Sequence, residues 1–569
     1  MSDKKLIFAY REDKLGTGEV VYCWQPGNRI IAFCGENKVI TLVDKMGKKI
    51  IDFPLKFGGK CKYLEFDSEG DTLAAFQDKC SLVTVINIFS KKTLDLEIDK
   101  NNKDYPSCIR WAKTTSILAI CTHNGLIYYY NKKTDKITPL SMMHSKAIIS
   151  ADWSEEGNLV TGDENKTLSV TTKKGESLLQ NAQMKFEPKL IKWARQKTNE
   201  NRRTESTIST VQNNKTLLMY DFKKKNNPIE LALDHEYGNI ITYQWFGDGY
   251  IAIGFSKGYL SIISTHMTEI KNEVYSTQLF KNGFDDLSVC EEVNRIAVAG
   301  ENVVRIFDKN TFKEIVEERI EISNQSGRIS KIQWSDSGQI LLVSTFLGSI
   351  FAFNVIISET FSISGNYFST LLSLNEVATY LIEGENKKQL YTLKLYDEPK
   401  TFVVSENYFV ASFGTKLQIF NTVDENGNKI KNIEGVIKDF SANITMIALN
   451  KEYMSVLTDG KCQFIKLSTY STEKIFPLKD TEDQIYFVAM NENFLIYSDS
   501  NGRVKMYAIK ENLGFVWEYK FDNNIRSIFP NKSGTKYLCV DNLGKGFVYN
   551  PIARNVLPLD NEEELNRII

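Results

Sequence analysis

Short apolar runs of four to six residues alternate with turns bearing glycine, asparagine and aspartate along almost the whole chain. Tyr237–His266 shows the pattern most plainly. Three runs, Ile240–Trp245, Tyr250–Phe255 and Tyr259–Ser264, are separated by the turns FGDG and SKG. Each run is too short for a helix and rich in Ile, Tyr and Phe, so each predicts a strand. The glycines suit turn positions with positive φ. A three-stranded meander cannot bury both its faces alone, so its neighbours must repeat it.

They do. Trp24, Phe66, Trp111, Trp153, Trp193, Trp245 and Trp334 fall in one register, with steps of 42, 45, 42, 40, 52 and 89 residues. The longest step holds two periods, with Val289 near the missing mark. Each marker leads into a turn, as in Phe66–Gly70, Trp153–Gly157 and Trp334–Gly338, then a short apolar strand, a polar hairpin and another strand. A period of ~40–45 residues in four strands is the signature of a WD-type propeller blade. Eight such units lie between Val20 and Asn354. Divergent units follow at 401–421, 444–467, 485–509 and 525–550, with a degraded one at 361–395, making about thirteen.

Thirteen blades in one ring would be unusual, so the sequence predicts an all-β chain of two tandem WD40-type β-propellers. Residues 1–325 form the first, with about seven blades, and residues 326–569 the second, with six to seven more divergent blades. Lys313–Ser323 is expected to cross between the rings. Lys5–Tyr10 is expected to supply the outer strand of the seventh blade, closing the first ring and removing a free sheet edge. The C-terminal NEEELNRII leaves two readings open: a second ring one blade short, or a capping helix.

Charge and composition narrow the function. The 70 basic and 71 acidic residues leave a formal charge of −1, against a general nucleic-acid binder. The N-terminus MSDKKLIFAY has no signal-peptide core, and no apolar run approaches the ~18 residues of a membrane span. Nine cysteines are scattered singly without a CxxC, as expected for reduced thiols in the cytoplasm.

No catalytic constellation stands out: there is no phosphate loop, GxSxG or HExxH. His123, His144, His235 and His266 lie far apart, and Cys121 with His123 has no second ligand pair at metal spacing. The chain is expected to be no enzyme and to carry no metal or cofactor. One feature recurs in the hairpins between second and third strands: Glu36, Lys38, His123, Asp163, Lys166, Asn214, Lys215, Lys257 and Glu301. Turn chemistry explains these residues, since Asn and Gly tolerate positive φ and charges stay solvated. The competing reading is a mixed-charge rim that docks peptides. A polar insertion at 194–206 carries Arg195, Lys197, Arg202 and Arg203. It is read as a solvated loop, or as a basic contact for lipid phosphate or an acidic partner.

Tyr237–Ile270 closely resembles the matching blade of the WD repeat-containing protein nineteen family, the WD-repeat subunits of intraflagellar transport complex A. The likeness extends to NNPIEL (226–231), ESTIST (205–210), WSDSGQILLVSTFLGSIFAF (334–353), ENFLIYSDSNGRV (492–504) and GKGFVYNP (544–551). The resemblance implies two propellers followed by a helical-repeat tail, in a non-enzymatic scaffold of that complex. It implies partners among the other subunits, with tubby-like adaptors and membrane-protein cargo, in retrograde transport. It implies a place in the cytoplasm and the cilium or flagellum, including the basal body. This chain has no helical-repeat tail, which leaves a fragment and a short paralogue both open. Two other readings stay open: a vesicle-coat subunit of coatomer-like architecture, and a propeller that reads short cargo or ubiquitin motifs.

Overall fold

The computed structural model describes residues 6–27, 29–99, 103–140, 143–194, 206–223, 228–266, 273–357, 360–384, 386–423, 433–478, 483–531 and 535–559. These fold into thirteen antiparallel four-stranded sheets, here called blades. In twelve of them the strands pair in simple chain order. The chain divides into two compact units, Met1–Ile356 and Ile357–Ile569.

The first unit holds blades 1 to 8. Their first strands are Val21–Trp24, Cys61–Phe66, Pro106–Trp111, Ile148–Trp153, Lys189–Trp193, Ile240–Phe246, Asp286–Cys290 and Ile329–Trp334. First strands of successive blades mostly touch one another, which makes them the inner strands of the ring. Second strands such as Thr72–Gln77 and Ile340–Thr345 are buried at every residue, because a blade is covered on both faces by its neighbours. Outer strands such as Lys49–Pro54 bury little, in that case Phe53 alone.

The ring has one blade more than the seven expected. Blade 8 (Ile329–Asn354) belongs to the first unit, so the division falls after Ile356 and not at 325/326. The reason is packing: Ala297, Val304, Ile306 and Ile320 of blade 7 form one buried cluster with Ile332, Trp334, Leu341 and Phe351 of blade 8. The stretch Lys313–Ser323 does not cross between rings. It carries the outer strand of blade 7, Ile320–Glu321, which pairs with Val303 and Val304. Ion pairs Arg295–Glu318 (2.9 Å) and Arg319–Glu314 (2.7 Å) hold it there.

Leu6–Tyr10 supplies the outer strand of blade 8, pairing antiparallel with Ile350–Phe353. The closing role was foreseen, for a blade one position earlier. Blade 8 meets blade 1 through Ser330 Oγ, which donates to Glu19 (2.7 Å), and Ser349 Oγ, which donates to Glu12 (3.0 Å). Gly348, at φ +101°, lets the chain pass so close that a Cβ there would sit 2.1 Å from the Gly16 carbonyl oxygen.

Among its described residues the second unit, taken by itself, holds five blades starting at Phe361, Thr401, Ile444, Ile485 and Ile525, against the six to seven expected. Four buried clusters join successive pairs. The stretch 361–395, degraded in sequence, forms a complete four-stranded blade. Residues 560–569, which hold the C-terminal stretch that left a short ring and a capping helix both open, lie outside the described residues.

Four of the six marker tryptophans clamp a blade to the one before it, while the indole N–H groups of Trp24 and Trp111 are buried without a hydrogen-bond partner among the described residues. All six are buried. The indole N–H of Trp153 donates to the Arg110 carbonyl (3.0 Å), that of Trp193 to Asp152 (3.1 Å) and that of Trp334 to Ser288 (3.2 Å), always one blade back. In the second unit asparagine takes over. Asn450 Oδ1 accepts from the N–H of Glu452 and of Tyr453, while its Nδ2 donates to the Asn491 carbonyl (3.1 Å). Asn491 then donates to Tyr537 Oη (2.7 Å). Blades 11 to 13 are thus joined laterally without an indole, and between blades 9 and 10 Ser362 Oγ accepts from the Val404 N–H (3.2 Å).

Two substitutions separate these devices. Trp153→Ala should cost about 3–5 kcal/mol through lost packing and the cavity left behind. Asn450→Ala should cost about 1–3 kcal/mol, because it leaves buried polar groups without partners. Urea unfolding of the full chain, followed unit by unit by hydrogen exchange, should place the first loss in blades 3 to 5 and the second in blades 11 and 12.

Candidate interaction face and channel of the first unit

Eight of the nine hairpin residues singled out by sequence lie between second and third strands of their blades, at the end of the first unit where inner strands begin; Asp163 is the last residue of the second strand of blade 4. Their backbone is dictated by the turn. Lys38 (φ 58°) and Lys166 (φ 62°) occupy the left-handed position that Gly125 (φ 81°), Gly258 (φ 82°) and Gly348 (φ 101°) fill in sister hairpins. Asn214 and Glu301 also have positive φ, at 55° and 53°.

Several side chains serve the fold. Asp163 is buried, so it is no part of an accessible rim. Its Oδ1 accepts from the Thr167 N–H (2.8 Å), and its Oδ2 lies 3.2 Å from His144 Nδ1. His144 also meets Thr161 Oγ1 (2.8 Å), and burial pulls its pKa down. Glu301 accepts from the backbone N–H of Lys281 and of Asn282, both at 2.6 Å. Glu36 pairs with Lys60 (2.5 Å), and His123 packs against Tyr105 with ring centroids 4.2 Å apart. Lys166, Asn214, Lys215 and Lys257 are exposed, and Lys38 is partly so. Arg195, Lys197, Arg202 and Arg203 lie outside the described residues, in the connection from the inner to the second strand of blade 5.

A more regular site was missed by sequence reasoning. The residue just before each marker reaches sideways to the next blade. Where it is an acceptor, it takes the marker's backbone N–H. Glu65 accepts from Trp111 (2.9 Å), Asp152 from Trp193 (3.1 Å), Gln244 from Val289 (3.0 Å) and Ser288 from Trp334 (3.2 Å). Where it is a donor, it gives to the carbonyl two residues before the marker. Arg110 donates to Ala151 (3.2 Å) and Lys192 to Tyr243 (2.5 Å). The signal was in the chain: LEF, IRW, ADW, IKW and YQW all put a polar residue at this step. At the closing junction the pattern lapses. Gln333 Oε1 and Trp24 Nε1 are buried without a hydrogen-bond partner, beside a cavity of about 570 Å³.

This ring of clasps is electrostatically tuned. Burial pushes Glu65 up to about 8, outweighing the Trp111 N–H that lowers it, and pushes Asp286 up to about 6. Neither residue has a described partner set for general acid–base chemistry. A separate trio, Asp67, Glu69 and Asp71, draws its carboxylates within 4.8 Å of one another. The Lys132 ammonium fills that cluster, bonding to all three, so it works as a clamp between blades 2 and 3.

Glu65 has a sign that can be checked. The folded chain holds its proton from the ordinary value of 4.5 up to about 8, where the unfolded chain does not. Its contribution is therefore fully present below pH 4.5 and lost as pH rises through 8. Glu65→Gln keeps an acceptor for Trp111 and removes the charge. It should raise stability above pH 8 by about 1–3 kcal/mol, a figure discounted because Glu65 is only partly buried. Thermal unfolding across pH 5 to 9 should show a flatter profile for the variant; parallel profiles would contradict the assignment.

Comparison with known proteins agrees with this architecture. A family model described as the WDR19 first beta-propeller matches residues 20–348, and one described as the WDR19 second beta-propeller matches residues 368–568. The chain is 29% identical over 559 residues to "WD repeat-containing protein 19" of Mus musculus, covering 96% of this chain and 40% of that protein. It is 28% identical to the Homo sapiens protein of the same name, with the same coverage. It is 25% identical over 576 residues to "WD repeat-containing protein dyf-2" of Caenorhabditis elegans, covering 98% and 41%. The chain thus spans about two-fifths of the length of these relatives. No helix among its described residues is long and apolar enough to cross a membrane.

Proposed function

The chain belongs to the WDR19 family, and on that premise we propose that it is a non-enzymatic scaffold of the intraflagellar transport A complex, acting in cilia or flagella. The observation that carries this reading is the pair of family matches, in order, over nearly the whole chain. The structure supplies the physical means. A closed eight-bladed ring holds its hairpins on strands buried from both sides, so they form a rigid face. Such a face suits broad contacts with other subunits. Retrograde transport of cargo and membrane proteins is part of the same proposal, as is a ciliary and basal-body location.

The test is affinity purification of the endogenously tagged protein from ciliated or flagellated cells of its source organism, with imaging of the same tag. Co-purification of other A-complex subunits and signal along the axoneme are expected. Golgi puncta with coat subunits would favour the vesicle-coat reading and overturn this one.

A further inference from the structure

Six inner strands of the first unit, in blades 2, 3, 4, 5, 6 and 8, share a bulge at the interaction face, and in three of them the bulged position is apolar. The pairing of Ile148–Trp153, Lys189–Trp193 and Ile240–Phe246 with their second strands slips by a bulge near its start. The bulges fall at Ile149 in blade 4, at Leu190 and Ile191 in blade 5, and at Ile241 in blade 6. A bulge re-aims a side chain out of the ladder. In blades 2, 3 and 8 the matching positions are Lys62, Ser107 and Ser330, all hydrophilic. The apolar trio is therefore confined to one side of the ring.

These three residues line one cavity of about 560 Å³, open to solvent. That volume lies within the ~300–1,000 Å³ of ordinary ligand pockets. Leu190 and Ile241 stay 41% and 40% exposed although both are large aliphatics. Leu190 is also held at φ +49°, a conformation unfavourable for a side chain of its kind. Nothing in the core gains from leaving these groups in water. Their rim is acidic. Glu164 and Glu187 line the same cavity, and Glu164 has no ion-pair partner among the described residues. Lys189 sits 3.7 Å from Glu187 and leaves Glu164 uncompensated.

We propose that this pocket binds an extended peptide segment through one aliphatic or aromatic side chain seated on Leu190, Ile149 and Ile241, with an adjacent Lys or Arg paired to Glu164. The peptide deepens the scaffold reading by naming a partner class for its face, and it stands on the pocket's own geometry. Desolvated aliphatic anchors inside a charged rim are how a small contact gains affinity, and the acidic rim selects against acidic segments.

The probe is a phage-displayed random dodecapeptide library, selected on the full purified chain. Peptides pairing an apolar anchor with a neighbouring Lys or Arg should be enriched. A fluorescein-labelled peptide of that kind is then titrated by anisotropy. Leu190→Gly is the decisive variant, because glycine is unstrained at φ +49°; its folding is checked by thermal unfolding. It should weaken binding about tenfold or more, and Glu164→Lys should do the same for the cationic peptide. Ile241→Asp, checked for unchanged thermal unfolding, gives a second reading of the anchor site. Absence of enrichment, enrichment without an apolar anchor, or unaltered affinity in Leu190→Gly would overturn the proposal. Ciliary co-purification of the unmodified protein is read separately, so either result stands if the other fails.

Discussion

The first unit depends on one repeated constraint: each inner strand must grip the inner strand after it. Where the marker is Trp153, Trp193 or Trp334, two hydrogen bonds serve this grip. The marker's indole reaches back to the preceding blade's carbonyl, as Trp153 does to Arg110. The residue before the marker reaches forward, as Asp152 does to the Trp193 N–H. Both bonds lie where blades converge and water is scarce, so an unmade bond would be costly. This explains why the position before the marker takes Cys, Glu, Arg, Asp, Lys, Gln or Ser but no large aliphatic residue: it must hydrogen-bond sideways to a backbone.

The same constraint shows how the two units differ. In the second, the turn asparagines Asn450 and Asn491 provide the lateral bonds, relayed to Tyr537. An amide both accepts and donates, so one side chain orders its own turn and grips the next blade. Blades built this way need no indole, and the sequence can drift from the WD pattern without losing the stack. The same hairpins that make the face rigid also set which residues it can present. Lys38 and Lys166 occupy left-handed turn positions, while Asp163, at the other end of the same turn as Lys166, is taken into the core with His144.

Much of the fold was legible in the chain, and for local reasons. Strand runs, turn glycines and the marker period are all properties of stretches of ten to fifty residues, where alternation and φ preferences act directly. The candidate rim was legible only as a set of loops. That Asp163 is buried and that Glu301 ties down the backbone of Lys281 depend on what packs beside each hairpin. The bulges at Ile149, Leu190 and Ile241 left no trace as a group, because they lie about 40–50 residues apart and each resembles an ordinary strand residue.

Sequence by itself determined that this chain is a series of four-stranded blades and which residues mark them, since strand and turn formation answer to near neighbours. It also determined family membership, through matches spread over nearly the full length. Only the tertiary structure decided how many blades close the first ring. That number follows from which faces fit at closure, where Leu6–Tyr10 meets a strand more than three hundred residues away. The same closure moved the division between units past blade 8. It also gathered three distant bulges into one pocket, because a ring sets side by side what the chain keeps apart.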